Sequence, residues 1–313
     1  MPDLQQQLEA ILNKRDSFID KSLASSYEDM AQIQKELTTL ILSKYISKFD
    51  YQDGVLVYNN KNLGLINELD NVFYKFEQKF SGNVFKDLGA KMLDMVVYSE
   101  DYFKKFGSSS KTLAKIKGKL DMISTRVGID AQGNLIPNSY FERLAAGDVM
   151  KEQLKDYIAR GLSGKTSLSE FQSGFEQLIN GNKDVDGKLL SYWKTETHDA
   201  FFSVSRAHDD LFAQQLGMNF FIYLPGAIKN SRPFCKGGYD KVCGCTFERK
   251  IGQVFHRLDM KKWISLEWSG KKHPYNPVVD MGGWNCRHKP AWISDEMAKE
   301  EAPEKYAEYE AVL

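Results

Sequence analysis

All four cysteines of this 313-residue chain lie between positions 235 and 286. Cys235, Cys243 and Cys245 occur in "SRPFCKGGYDKVCGC" (231–245), and Cys286 occurs in "GGWNCRHKPAWI" (282–293). Four chemistries fit this placement. Thiolates with one imidazole form the tetrahedral donor set of a structural zinc. Cys235, Cys243, Cys245, Cys286 and His288 are the candidate ligands for Zn2+, with His256 and His273 as further imidazoles. The Cys-x-Cys and Cys-x-His spacings are not the paired knuckles of common zinc modules. A Cys235–Cys286 disulfide would need an oxidising phase, whereas pairing Cys243 with Cys245 would be strained. A catalytic Cys235 would need a neighbouring base. Buried, inert cysteines are the fourth reading.

Other motifs fail when their chemistry is checked. "GLSGKTS" (161–167) contains Gly-Lys-Thr, but a phosphate loop needs a glycine where Ala159 stands and must follow a strand. The pattern instead predicts a helix end followed by a helix start, with Ser167 and Glu170 as a capping box. "NKDVDG" (182–187) starts like a calcium loop, but the twelfth position is Trp193 rather than a bidentate Glu, so it reads as a polar turn. His198 and His208 stand ten residues apart on one predicted helix, which does not put them on one face. With Asp199, Asp209 and Asp210 beside them, the expectation is a solvated helix face.

Charge separates the last quarter of the chain from the rest. The 42 basic and 42 acidic residues cancel, so no partner follows from the net charge. Residues 231–293, however, hold 12 Lys and Arg against 5 Asp and Glu, and residues 294–313 hold 2 against 7. A basic module is thus followed by an acidic tail. Lys250, Arg257, Lys261, Lys262, Lys271, Lys272 and Arg287 alternate with aromatics and are the candidates for non-specific contact with double-stranded DNA. A solvated rim, or a docking face for the acidic tail, would use the same charges.

The elements that must position these residues are mostly helical. Leu4, Leu8, Ile11, Phe18, Ile19, Leu23, Tyr27, Met30, Ile33, Leu37, Leu40 and Ile41 recur at three- and four-residue steps, predicting helix over 3–49. That stripe could pack internally or dock on a partner helix. "DGVLVYNN" predicts a turn and strand, and helices are expected over 65–80, 84–106, 111–126 and 189–216. "GIDAQGNLIP" (128–137) marks a boundary loop before further helices, and "MNFFIYLPGAI" predicts a buried strand. Beyond Pro225 the composition changes: five of eight prolines, four of five tryptophans and all the cysteines lie between Pro225 and Trp292. The expected class is α+β and predominantly helical. A helical N-terminal region (1–128) and a helical middle precede a small Cys/Trp-rich α+β module (226–293) and an acidic tail (294–313). The N-terminus lacks a basic run leading into an apolar core, so no secretory signal is expected. "NFFIYLPGAI" is too short to span a bilayer, so no membrane partner is expected.

From about Gly128 to Trp292 the order of motifs resembles the phage head morphogenesis family, the minor head proteins similar to the Mu F protein and the SPP1 minor head protein. "GIDAQGNLIP" opens the resemblance, and "YIARGLSGKTSLSEFQ" follows it. The helix "YWKTETHDAFFSVSRAHDDLFAQQLG" is similar to the family's threonine–glutamate helix, with Thr195, Glu196, Ala200 and Arg206 at its positions. "FIYLPGAIKNSRPFC" resembles the strand and SR-x-x-C turn, here Ser231, Arg232 and Cys235. "GQVF" and "GGWNCRH" resemble the closing segments, with Cys286, Arg287 and His288. Two features depart from the pattern: "GGYDKVCGC" is a local variation carrying Cys243 and Cys245, and His288 stands where some relatives have a second cysteine. The resemblance implies a head morphogenesis domain over 129–293 in which Cys235 and Cys286 face each other across one small fold. It implies a minor head component acting at the portal or the capsid interior, with portal or major capsid protein as partner, and no catalytic residues. Its location would be the virion, with the host cytoplasm as the place of assembly. From other classes, a metal-dependent nuclease or phage-carried effector enzyme, and a zinc-stabilised DNA-binding module, compete with this reading.

Overall fold

The computed structural model describes residues 4–118, 128, 130, 136–137, 148–182, 184–224 and 230–312. The boundary loop at 128–137, the helices expected immediately after it, the end of the 111–126 helix and "PGAIK" (225–229) fall largely or wholly outside the described residues.

The order of elements is α1 (Leu4–Leu40), β1 (Tyr51–Gln52), β2 (Val55–Leu56), α2 (Asn60–Asp94), α3 (Val96–Lys104), α4 (Ser110–Lys117), α5 (Asp148–Ser163), α6 (Leu168–Asn180) and α7 (Lys188–Gln215). Shorter elements follow: β3 (Phe220–Leu224), α8 (Pro233–Lys236), β4 (Gly238–Asp240), β5 (Cys245–Phe247), β6 (Val254–His256), α9 (Asp259–Trp263), α10 (Pro277–Asp280), β7 (Lys289–Ile293), α11 (Asp295–Glu301) and α12 (Pro303–Tyr309). The chain is α+β and mainly helical, with small antiparallel sheets, as its composition and periodicity predict. The helices expected over 65–80 and 84–106 are instead a continuous α2 and a separate α3, broken at Met95.

Compactness divides the chain into two units that cut across the linear division at residue 128. The first comprises 1–18, 92–123 and 198–313, and the second comprises 19–91 and 124–197. In the second unit the stripe of α1 is buried at Ile19, Leu23, Met30 and Leu37, and it continues into a π-helical turn at Ile41–Tyr45. Its polar companions Ser26, Gln34 and Thr38 are buried as well. Gln34 Oε1 accepts from the Leu190 amide at 3.0 Å, and the Thr38 hydroxyl donates to the Gln34 carbonyl at 2.8 Å, so these groups are satisfied. Asp53 (φ 52°) and Gly54 (φ 76°) turn the chain between β1 and β2 in the left-handed region, the turn chemistry of a tight hairpin. Ser167 caps α6 in a complete capping box with Glu170. Asn182 Oδ1 accepts from the amides of Asp184 and Val185, which makes "NKDVDG" the expected polar turn.

The first unit is built around a three-stranded antiparallel sheet of order β6-β3-β7. β3 runs Phe-Phe-Ile-Tyr-Leu, and β7 is buried at every residue, so the sheet is a core element rather than a surface ribbon. The register pairs Phe221 with Trp292, Tyr223 with Pro290 and Leu224 with Lys289. Leu8 and Leu12 of α1, Tyr102 and Phe103 of α3, and Leu113 and Ile116 of α4 join the same core as Phe221, Phe234, Trp263, Trp268 and Trp292. Tyr102 donates its hydroxyl to the Trp292 carbonyl at 2.8 Å, and Phe103 stacks on Phe212 with ring centroids 5.4 Å apart. None of the described helices is long and apolar enough to cross a membrane.

Candidate functional site

The β3–β7 register sets the site. His288 immediately precedes β7, and Tyr223 lies near the end of β3, so the two rings meet with centroids 5.1 Å apart. Cys235 enters on α8, a single helical turn that starts at Pro233 and ends at Gly237 (φ 84°), where a left-handed residue is required. Its position is fixed by backbone bonds: Cys235 donates to the Arg232 carbonyl at 2.9 Å and accepts from the Lys250 amide at 2.9 Å. Cys286 follows a loop in which Met281 (φ 47°), Gly283 (φ 94°) and Asn285 (φ 53°) are all left-handed. Non-glycine residues in that region are strained and persist only where their surroundings fix them. Asn285 is held by its amide donating to Asp199 Oδ1 at 2.7 Å, and Trp284 by its amide donating to the Gly270 carbonyl at 2.9 Å.

These constraints bring Cys235, Cys286 and His288 together. One donor atom from each lies within 4.8 Å of the others, and all three residues are buried. Cys286 Sγ is 3.5 Å from His288 Nδ1, and the Tyr223 hydroxyl is 3.2 Å from Cys235 Sγ. The Gly282 amide donates to Cys286 Sγ at 3.2 Å. Gly282 has to be glycine, because a Cβ there would lie 2.6 Å from Cys235 Sγ and 3.0 Å from Cys286 Sγ. Trp268 fixes this glycine by donating its indole N–H to the Gly282 carbonyl at 3.0 Å, and it stacks on Phe234 with centroids 3.9 Å apart.

The two thiols titrate as a coupled pair. The hydrogen bond to Cys286, and then burial, push Cys235 up. Burial would push Cys286 up too, but hydrogen bonds with Cys235 and His288 and the charge of Arg206 hold it well below the usual thiol range.

Arg206, which is 2% exposed, holds the loop from the other side. Its guanidinium donates to the carbonyls of His288 (2.8 Å), Cys286 and Val279. Three carbonyls around one fork leave this buried cation hydrogen-bonded rather than stranded.

The remaining predicted site residues separate into groups. Ser231 is buried, Arg232 donates to the Trp284 carbonyl at 2.5 Å, and Arg287 is half-buried over the Phe202 ring at 5.5 Å. Thr195 and Glu196 lie on α7 within the second unit, where the Thr195 hydroxyl donates to the Ser191 carbonyl at 3.2 Å and Glu196 is buried. Cys243 and Cys245 are not members of the three-donor cluster. They sit at the tip of the β4–β5 hairpin, half-buried, with the Cys245 amide donating to Cys243 Sγ at 3.2 Å. All four cysteines are free thiols. The five-residue ligand set read from the sequence is thereby reduced to three, because the hairpin carries Cys243 and Cys245 on a separate element.

Two further expectations are corrected. Lys250 and Lys271 are not surface cations. Lys250 donates to the Phe234 carbonyl at 3.0 Å and lies over the Phe234 ring at 4.2 Å, and burial lowers its pKa. Lys271, whose side chain is 3% exposed, donates to the carbonyls of Ile264 (2.8 Å) and Leu266 (2.5 Å) and to Glu267 (3.0 Å). Their long apolar stems run into the core while the ammonium finds backbone oxygens. Several of the other candidate cations have internal partners too. Arg257 pairs with Asp210 and lies over Trp292 at 4.0 Å, and Lys272 pairs with Asp199 at 3.0 Å and Asp280 at 3.5 Å. Lys262 reaches Asp259 at 3.0 Å but stays largely exposed, and Lys261 is exposed.

The helix face around His198 and His208 is not solvated either. Asp199, His208 and Asp209 are buried; Asp209 accepts from Arg15 and Ser99, each at 2.7 Å. Sequence reasoning passed over Tyr223, Gly282, Trp268 and Asp199 as site residues. "GGW" was visible as a motif, but only the fold shows that its first glycine abuts two sulfurs.

No family model matches the chain, and no curated protein or solved structure is significantly similar to it.

Proposed function

We propose that the chain is a minor head protein of a tailed phage or prophage, acting in head assembly at the portal or the capsid interior. One observation carries this reading. The short motifs behind the resemblance, Ser231-Arg232 with Cys235 and Cys286-Arg287-His288, come from segments some fifty residues apart, yet Cys235 meets Cys286 and His288, Arg232 reaches the Trp284 carbonyl, and Arg206 of α7 holds the carbonyls of Cys286 and His288. Residues that converge in a buried interior act on the fold, as fingerprint positions of a structural protein would. The donors of the Cys/His cluster belong to residues only 1–5% exposed, which a phosphodiester cannot reach, so the cluster lends the nuclease reading no support. Partner contact with portal or major capsid protein falls to surfaces other than the α1 stripe, whose apolar residues are used inside each unit. Contact with packaged DNA, if made by the basic module, falls to exposed cations such as Lys261 and Lys262 rather than to Lys250 or Lys271.

Quantitative mass spectrometry of purified virions and empty proheads from the strain encoding the chain tests this. A few copies per particle, in fixed ratio to the portal protein, is the expected result. Absence of the chain from both particles would overturn it.

A further inference from the structure

The geometry points to a metal site: we propose that Cys235 Sγ, Cys286 Sγ and His288 Nδ1 hold one zinc-class divalent ion that staples the first unit. The inference is independent of the head-protein reading. With zinc–sulfur bonds of about 2.3 Å and zinc–nitrogen bonds of about 2.0–2.1 Å, a tetrahedral ion places sulfur and nitrogen about 3.5 Å apart and two sulfurs about 3.8 Å apart. The Cys286–His288 separation is 3.5 Å, and all three donor atoms fall within 4.8 Å. The Cys286–His288 pair thus has the spacing of two corners of a zinc tetrahedron, and Cys235 stands close enough to supply a third, the donors coming from a helical turn and a loop fifty residues apart in sequence. The Tyr223 hydroxyl lies 3.2 Å from Cys235 Sγ.

The surroundings match what thiolate ligands need. An amide N–H, from Gly282, donates to Cys286 Sγ, and the Tyr223 hydroxyl can donate to Cys235 Sγ. Such outer hydrogen bonds orient ligands and favour their charged form. Arg206 pins the carbonyls of both Cys286 and His288, so the two ligands on that loop are fixed through their backbones. Two thiolates and a neutral imidazole around a divalent ion sum to zero charge, which removes the cost of burying a lone thiolate. On binding, two sulfur–metal bonds form and the protons still on the thiols leave to solvent. Soft sulfur with one imidazole selects zinc over magnesium or calcium.

The test is a Co2+ titration of the untagged full-length chain, reduced and stripped of metal, followed by displacement with Zn2+. The expected result is thiolate-to-cobalt charge transfer saturating at one equivalent per chain and lost when zinc is added. C235S and C286S should each abolish the charge-transfer signal or weaken binding by more than tenfold. The Cys243→Ser/Cys245→Ser double variant should bind as the wild type does. Y223F should weaken binding by about 10–100-fold, the usual cost of losing an outer-shell partner. The wild-type titration decides by itself if a cysteine variant does not fold: absence of the charge-transfer signal overturns the site. Loss of the signal in the Cys243/Cys245 double variant would also overturn it, by moving the ligands to the hairpin. So would a Cys235–Cys286 disulfide, mapped by peptide mass spectrometry in a metal-free chain that no reductant had touched.

Discussion

His208 lies on α7 with 1% of its surface exposed, and among the described residues neither ring nitrogen has a hydrogen-bond partner. Burial, and then the positive charge of Arg15, lower its pKa to about 3. The unfolded chain, with an ordinary histidine near 6.5, binds a proton over a range in which the folded chain does not. The contribution of His208 to stability is therefore fully present above about pH 6.5 and declines as pH falls from there towards 3, by up to about 1.4 kcal/mol per pH unit. Urea unfolding at pH 7 and pH 5 should show the wild type losing stability, and His208→Leu should lose less by about that slope. Equal losses in the two proteins would mean that His208 is not buried in its neutral form. The same helix carries Arg206, which bonds three carbonyls, and Asp209, which accepts from Arg15 and Ser99. A row of charges that reads as a solvated face is thus largely internal, with Asp199, Arg206, Asp209 and Asp210 each finding a partner on a segment remote in sequence.

At the scale of elements, α6 shows how much a helix start depends on local chemistry. The Ser167 hydroxyl accepts from the Glu170 amide at 3.3 Å, and Glu170 Oε2 accepts from the Ser167 amide at 3.4 Å and its hydroxyl at 2.7 Å. Ser167→Ala removes the cap while leaving Phe171, Phe175 and Ile179 buried, so it should cost about 1 kcal/mol. The check is the shift in the urea midpoint with an unchanged slope, and no shift would show that the box contributes nothing in solution. The elements at the C-terminal end are governed differently. α8, α9 and α10 span four or five residues each and have no stability alone. They are held by aromatic packing: Phe234 against Trp268, Trp263 against Phe221, Tyr223 and Phe255, and Trp268 against Tyr275. That dependence explains why the tryptophans concentrate where regular secondary structure is shortest.

Across the whole molecule, neutrality hides an internal division of charge. The acidic tail folds as α11 and α12 onto the basic segment, with Lys305 bridging Asp259 at 3.0 Å and the Tyr309 hydroxyl donating to Asp259. Tyr309 stacks on His256 with centroids 4.2 Å apart, and Tyr306 stacks on Phe220 at 5.6 Å. Apolar packing matters here as much as charge, because Phe220, Ile293, Ala298 and Tyr309 form one buried cluster. Deleting residues 294–313 should therefore lower stability by at least about 3 kcal/mol, the scale of losing one buried aromatic side chain. Chemical denaturation of the full and shortened chains measures this, and equal midpoints would show that the tail is dispensable to the fold. A deletion of residues 1–128 would likewise remove Leu8, Leu12, Tyr102, Phe103, Leu113 and Ile116 from the core of the first unit, so it would probe folding rather than docking.

The helical stripe of α1, the Asp53–Gly54 turn, the capping box at Ser167, the buried strand at 220–224 and the compositional break near residue 225 are all legible along the chain. These are set by local rules of periodicity, turn geometry and capping, which act over a few residues and can be read in order. That Cys235 and Cys286 face each other is an expectation of the family resemblance, not of their spacing. That Cys243 and Cys245 stand apart, that His288 completes the cluster and that Tyr223 and Gly282 border it emerges only from the folded chain. So does the interior position of Lys250, Lys271 and most of the charged face of α7. The reason is physical. Whether a charge is solvated or paired, and which sulfur meets which imidazole, depends on strand register and on segments dozens to hundreds of residues away. Spacing along the chain carries no record of those meetings.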